Sequence, residues 1–197
     1  MSKGEQTRAA ILAAALDMAR QLGLEGLTIG TLAERLGLSK SGVFAHFGSK
    51  EELQLAVLRE AQERFVAAVL RPALAEPRGL ARLRALFERW LAWSANLPEP
   101  GGCLMMAAAY EFDDRPGPVR DALAEGQRAW RASLTRTIRL AIDSGELRPD
   151  TDAEQFAFEL FGVALAAHHD TRLLGEARAR EHALRALERL IADARAT

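Results

Sequence analysis

The stretch from Thr28 to Lys50, TIGTLAERLGLSKSGVFAHFGSK, constrains this chain most: it has room for two short helices and one tight way of joining them. Leu32, Ala33 and Leu36 recur at helical spacing and give the first helix an apolar side. Thr28 is placed to cap it, its hydroxyl accepting a free backbone N–H of the first turn. Gly37 stops it, because glycine takes the left-handed conformation at little cost. Ser39 then caps a second helix, from Lys40 to about His46, on which Val43 and Phe47 point back at Leu32 and Leu36. Lys40, Ser41, Gly42, Ala45 and His46 are left on an outer face of small and polar residues. A face so poor in bulk fits a DNA major groove, and the pair reads as a helix-turn-helix whose second helix is the reader.

The run T-x-x-x-L-A-x-x-x-G-[LV]-S-x-x-x-[LVF]-[YF]-x-[HY]-F-x-S-K is carried by Thr28, Leu32, Ala33, Gly37, Leu38, Ser39, Val43, Phe44, His46, Phe47, Ser49 and Lys50. It resembles the DNA-binding domain of the tetracycline-repressor (TetR) family of bacterial transcription regulators. The likeness extends back through Thr7 to Leu22, Gly23 and Gly26, and forward into the helix that begins at Ser49. It covers about the first third of the chain; the remainder matches in layout only. The resemblance implies an all-α protein of about nine helices. Residues 1–50 would be a three-helix DNA-binding domain, 49–70 a linking helix that works as a lever, and 71–197 a helical effector-binding and dimerisation domain. It implies a repressor that binds double-stranded DNA at an inverted-repeat operator as a homodimer and is released by a small, largely apolar effector. The alternative is a DNA-binding regulator that needs no effector.

The net charge of −1 rules out whole-chain polyelectrolyte binding to DNA. Residues 1–50 hold six basic groups (Lys3, Arg8, Arg20, Arg35, Lys40, Lys50) against four acidic ones (Glu5, Asp17, Glu25, Glu34), a balance of +2. DNA binding must then rest on a few well-placed contacts, doubled by dimerisation. The single cysteine, Cys103, cannot form an internal disulfide and suits a reducing compartment. Its neighbours Gly-Cys-Leu-Met read as buried and inert. No apolar run approaches a membrane span, and the polar start MSKGEQTRAA is no signal peptide, so a cytoplasmic location is expected.

In chain order, Met1 to Gln6 reads as a disordered arm, in which Lys3, with Arg8 just beyond, could reach a minor groove. The first helix runs from about Thr7 to Leu22 on the stripe Ile11, Ala15, Met18, Leu22. Ser49 and Glu52 form a capping box for the linking helix, which Pro72 stops near Leu70 after about 30 Å. Further helices are expected from about Leu80 to Asn96, Cys103 to Tyr110 and Val119 to Ser144. Leu97 to Gly102 is expected as a turn, and Glu111 to Pro118 as a break. Thr151 and Glu154 form a second capping box. The helix it opens is apolar nearly all round between Phe156 and Ala167, so it must be covered on two sides, the second by another copy of the chain. With the last helix, about Ala177 to Ala194, it would build a four-helix bundle between protomers. Ala157, Leu160, Ala164, His168, Leu184, Leu187 and Ile191 are the interface candidates. No alternating run suggests a strand.

The reading residues are Lys40, Ser41 and Gly42, with lysine suited to guanine O6 and N7 and Ala45 to a thymine methyl. Lys50 and Thr28 are phosphate candidates at helix N-termini. The resemblance carries the role of Lys50 over and adds His46 as a backbone contact. Trp90, Trp93, Met105, Met106, Tyr110, Trp130 and Phe161 are the effector-pocket candidates, aromatic and methionine side chains being adaptable apolar linings. No cofactor is implied, and no metal: His168 and His169 point about 100° apart on a helix, and chelation wants i, i+4 spacing. No nucleophile elbow, phosphate-binding glycine loop or HExxH is present, so no enzyme is implied.

Two positions depart from the family pattern. Phe44 stands where tyrosine is most common, and Ala45 where a larger polar residue is. Each removes a polar contact from a half-site. Phe44→Tyr is expected to tighten operator binding; a footprint titration at matched salt checks it, and no gain would count against the contact.

Overall fold

The first helix starts earlier than its apolar stripe. In the computed structural model, which describes residues 2–97 and 102–196, α1 spans Lys3–Leu22. Ser2 Oγ accepts the Glu5 N–H at 3.3 Å, and the Glu5 carboxylate accepts the Ser2 N–H at 2.6 Å. This reciprocal cap closes the first turn. The expected disordered arm is thus helical from Lys3; Met1 lies outside the described residues. Arg8, for which a minor-groove contact is the less favoured reading beside a purely supporting helix, lies over the Phe47 ring at 5.0 Å.

Helix α2 spans Ile29–Leu36, α3 Lys40–Phe47 and α4 Lys50–Phe65. At the head of α4 only half of the expected capping box is present: Ser49 Oγ accepts the Glu52 N–H at 3.0 Å, and Ser49 N–H goes to the Phe47 carbonyl at 2.9 Å. The expected stop at Pro72 is not seen. A π turn over Val66–Leu70 follows α4 directly and runs on into α5, Arg71–Leu74. The π turn sends the Arg71 N–H to the Val66 carbonyl, five residues back. Pro72 then falls in the first turn of α5, where a missing N–H costs no intrahelical bond.

Next come α6 (Leu80–Ala95), α7 (Leu104–Phe112), α8 (Pro118–Asp143), α9 (Ala153–His169), a second π turn (Asp170–Leu174) and α10 (Ala179–Ala194). Of the turn expected between Leu97 and Gly102, residues 98–101 lie outside the described residues. The break expected from Glu111 begins later, because α7 continues to Phe112. Helix α9 is capped by Asp152, not Thr151. Asp152 Oδ1 accepts the Glu154 and Gln155 N–H groups at 2.9 and 3.0 Å. A carboxylate there also complements the positive end of the helix dipole, so it wins over the hydroxyl. Among the described residues the protein is all-α; a single antiparallel bridge joins Leu147 and Arg195. No described helix is long and apolar enough to cross a membrane.

The helices form two compact units. One holds the chain up to Arg64 together with Leu97–Gly126; the other holds Phe65–Asn96 with the chain from Gln127 on. In the first, Ile11, Leu16, Leu24, Leu27, Leu32, Val43, Leu53, Val57 and Phe112 share one buried cluster. Each fully buried leucine there contributes on the order of 2 kcal/mol. The turn after α1 is held by α7. Glu111 accepts the backbone N–H of Leu24 at 3.2 Å and of Glu25 at 2.9 Å. Gly23 has φ +79°, and a Cβ there would lie 2.6 Å from Glu111 Oε1, so glycine is required twice over. From the other side the buried Gln54 donates to the Leu24 carbonyl at 2.9 Å.

The second unit repeats the device. Glu146 accepts the Leu80 N–H at 3.1 Å and the Ser144 hydroxyl at 3.0 Å, against Gly79 at φ +94°. Leu83, Leu86, Phe87, Leu134, Ile138, Leu147 and Leu160 fill its interior. Arg84 clasps Glu188 with two bonds of 2.6 and 2.8 Å, tying α6 to α10.

Glu111→Ala leaves two backbone donors without their acceptor. It is expected to destabilise the protein by about 2 kcal/mol, and Glu111→Gln, which keeps one acceptor oxygen, by less. Urea melts of the three proteins check both the size and the order.

Candidate nucleic-acid interface

Helix α3 buries two side chains and presents the rest. Val43 and Phe47, one turn apart, lie in the core of the first unit. That fixes the rotation of the helix and leaves Lys40, Ser41, Gly42, Phe44 and Ala45 exposed, with His46 half-buried. Phe44 is 54% exposed, a phenyl ring turned outward. The His46 ring meets the Phe47 ring edge-on at 6.4 Å. Ser39 caps the helix, accepting the Gly42 N–H at 3.0 Å, and Ser41 Oγ lies 3.1 Å from Ser39 Oγ. The Ser41 hydroxyl is therefore shared between the cap and the outer face.

A second group of donors sits beside it. Thr28 Oγ1 accepts the Thr31 N–H at 3.1 Å, and Thr31 Oγ1 accepts the Thr28 N–H at 3.1 Å. The Lys40 side chain reaches across to this end of α2. A Cβ on Gly30 would lie 3.8 Å from Lys40 Nζ and 3.7 Å from Thr28 Oγ1. The Lys40 ammonium and the Thr28 hydroxyl thus both lie near the first turn of α2.

Lys50 is already engaged. Its Nζ donates to the Glu25 carbonyl at 2.7 Å and to the Glu25 carboxylate at 2.9 Å. That leaves one ammonium hydrogen for an external anion. The hydrogen bond from Lys50 holds the Glu25 carboxyl below its ordinary range, with Arg115 at 3.6 Å adding to it. Sequence reasoning passed over both Glu25 and Glu111, because their partners lie far along the chain and no local spacing marks them.

The effector candidates divide between the units. Trp90, Trp93, Trp130 and Phe161 come together in the second unit with Phe65, which was not among the effector candidates. The ring centroids of Phe65 lie 6.1 Å from Trp93 and 4.9 Å from Trp130, and Trp90 lies 5.2 Å from Trp130 and 5.5 Å from Phe161. Met105, Met106 and Tyr110 belong to α7 in the first unit. Leu104, Ala108 and Phe112 take the inner face of α7, so Tyr110 is 72% exposed and lines no apolar interior. Cys103 is buried at the start of α7.

The interface candidates are mostly inside the chain's own core. Ala157, Leu160, Ala164, Leu187 and Ile191 are buried where α9 meets α6 and α10 of the same chain. Leu184 is half-buried. His168 is half-buried too, 2.5 Å from the Ser94 hydroxyl through Nδ1, with its pKa pushed down by burial and by Arg172. The outward strip of α9 runs through Phe158, 60% exposed, then Gly162 and Ala166. Apolar periodicity finds both faces of such a helix but cannot say which one packs at home.

Comparison with known proteins agrees with this geometry. Residues 11–57 match the family model of bacterial regulatory proteins of the tetR family, and residues 79–187 that of the tetracyclin repressor-like C-terminal domain. The HTH-type transcriptional regulator RutR of Escherichia coli K12 is 31% identical over 136 residues, 67% of this chain and 63% of RutR. The match thus spans somewhat under two thirds of that relative's length. A TetR transcriptional regulator from Chloroflexus aurantiacus superposes with a TM-score of 0.90 at 27% identity, covering 100% of both chains. AibR, solved in complex with isovaleryl coenzyme A and operator DNA, has the same fold, with a TM-score of 0.75 at 21% identity over 93% of this chain and 97% of AibR.

A depressed carboxyl stabilises the folded state above the unfolded carboxylate's pKa, and the contribution disappears as pH falls through the lowered folded value. Wild-type protein is therefore expected to lose stability more steeply than Glu25→Gln between about pH 5 and pH 3. Denaturation midpoints of the two proteins across that window check the sign.

Proposed function

This chain belongs to the tetR family of bacterial regulatory proteins and is a DNA-binding transcriptional regulator, and on that premise we propose that it is a ligand-responsive repressor. It binds an inverted-repeat operator as a homodimer and leaves it when a small, largely apolar effector binds. One observation carries the DNA half: α3 commits only Val43 and Phe47 to the core, so Lys40, Ser41, Gly42, Phe44 and Ala45 face outward and are free to enter a groove. Lys40, Ser41 and Gly42 read bases from its N-terminal end, with Ala45 against a thymine methyl. Thr28, Ser39, His46 and the third hydrogen of Lys50 face the phosphates, which positions the helix without reading sequence. Phe44 supplies apolar contact where a phenol would have donated.

The functional division is residues 1–50 for DNA, the rod from 49 to 70 as lever, and 71–197 for effector and second copy. Support for an effector comes from the aromatic group around Phe65 and from AibR, whose similar fold carries both isovaleryl coenzyme A and operator DNA. The effector acts by binding one of two conformations more tightly than the other. The second copy docks on the outward strip of α9, Phe158, Gly162 and Ala166, with His168 and Leu184 at its margin. Wetting a face of that kind in a monomer is unfavourable, and a four-helix contact removes it.

Selection of bound duplexes from a random pool tests the reading. The expected consensus is an inverted repeat whose half-sites lie about 34–36 Å apart, one DNA turn. Lys40→Met is expected to relax preference at one guanine position by roughly ten-fold, as loss of a base contact worth on the order of 1–3 kcal/mol would. A protein that sediments as a monomer at the working concentration, or binds no duplex at low ionic strength, is not this repressor.

A further inference from the structure

The aromatic group of the second unit contains two polar atoms that nothing among the described residues satisfies. Trp93 Nε1 and Trp130 Nε1 are both buried, and among the described residues neither has a hydrogen-bond partner. Trp130 as a whole is 8% exposed. A buried indole N–H ordinarily finds an acceptor, and leaving one without it is costly. Two such donors next to one another are a stronger signal than one. Both indoles stand edge-on to the same Phe65 ring, at interplanar angles of 78° and 89°, so both belong to one locus.

The exposed Arg131 places a positive charge beside that aromatic group. Arg131 lies over Phe161 at 4.2 Å and Phe158 at 5.8 Å, and Phe161 in turn packs on Trp90. Among the described residues Arg131 has no acidic partner. A cationic ligand would meet an aromatic face already taken by a guanidinium, and would offer the indoles no acceptor. An oxygen acceptor satisfies both donors and is drawn by the arginine.

We propose that the effector is a neutral or anionic apolar molecule whose carbonyl or carboxylate oxygens accept hydrogen bonds from Trp93 and Trp130. This rests on the reading of the chain as an effector-responsive regulator and narrows its effector to one chemical class. The aromatic rings take the apolar body; the two indole N–H groups take the oxygen-bearing head. A quaternary ammonium of the same chain length is excluded.

The test uses the full-length protein labelled with nitrogen-15 in its tryptophans, whose indole N–H resonances are assigned from single Trp→Phe variants. The probes are decanoate, methyl decanoate and decyltrimethylammonium. The first two are expected to move the Trp93 and Trp130 resonances and the cation to leave them in place. Trp93→Phe and Trp130→Phe are each expected to weaken decanoate binding about ten-fold, the loss of one good hydrogen bond. Where a variant fails to fold, the wild-type resonances decide. Equal binding of the cation overturns the proposal, as does decanoate binding that leaves both resonances unmoved or is unchanged in folded variants. If no probe perturbs either indole, the donors are served by water and the proposal falls. Binding to the selected operator is measured on the same samples. Operator binding without a probe response sinks this inference alone, whereas absence of operator binding sinks the regulator itself.

Discussion

The carboxylate of Glu111 is the contact on which the presentation of α3 depends. Two backbone N–H groups in the turn between α1 and α2, that of the buried Leu24 and that of the exposed Glu25, are both accepted by Glu111. An ionised acceptor makes such bonds about twice as strong as a neutral one. With Gln54 on the Leu24 carbonyl and Lys50 on that of Glu25, three consecutive peptide units are gripped by side chains from α4 and α7. The turn is therefore not a hinge. It fixes where α2 starts, and α2 fixes α3 through Leu32, Val43 and Phe47.

The same solution appears in the second unit, where Glu146 serves the first N–H of α6 beside Gly79. Both places pair a positive-φ glycine with a carboxylate from a distant segment. The glycine allows the chain to turn, and its missing side chain is the space the carboxylate occupies. Helix ends leave unsatisfied donors by construction. At the start of α6 one of them is met by a tertiary contact, so that cap also fastens one element to another. Among the described residues four buried side-chain polar atoms lack a partner, Arg20 Nε, Thr151 Oγ1 and the indole nitrogens of Trp93 and Trp130, and the two indoles border the same Phe65 ring.

How much was legible in the sequence follows from how far each signal reaches. Thr28, Gly37 and Ser39 act on neighbours within a turn, so α2 and α3 could be placed to a residue or so from spacing alone. The all-α class was legible for the same reason. Ser2 was passed over because its cap with Glu5 precedes the apolar stripe. Pro72 misled because a π turn upstream shifts which carbonyl each N–H seeks, and no residue type announces that shift. Tyr110 looked like a pocket residue beside an apolar run, but Leu104, Ala108 and Phe112 claim the inner face at the same helical period. On α9 the pattern named as the interface the face that its own chain covers. Glu111 and Glu146 were invisible, since nothing local distinguishes a clamping glutamate from a solvated one.

The pairing of Gly23 with Glu111 also constrains how this sequence can drift. A side chain at position 23 is barred twice, by the backbone angle and by the carboxylate that fills its place. Shortening residue 111 removes the second bar and leaves the first, whereas nothing done at residue 23 relaxes the demand for an acceptor. Losing the glutamate therefore weakens the turn without freeing position 23, where the backbone angle still favours glycine. The two positions are thus coupled, although one looks like a mere loop glycine and the other like a surface acid.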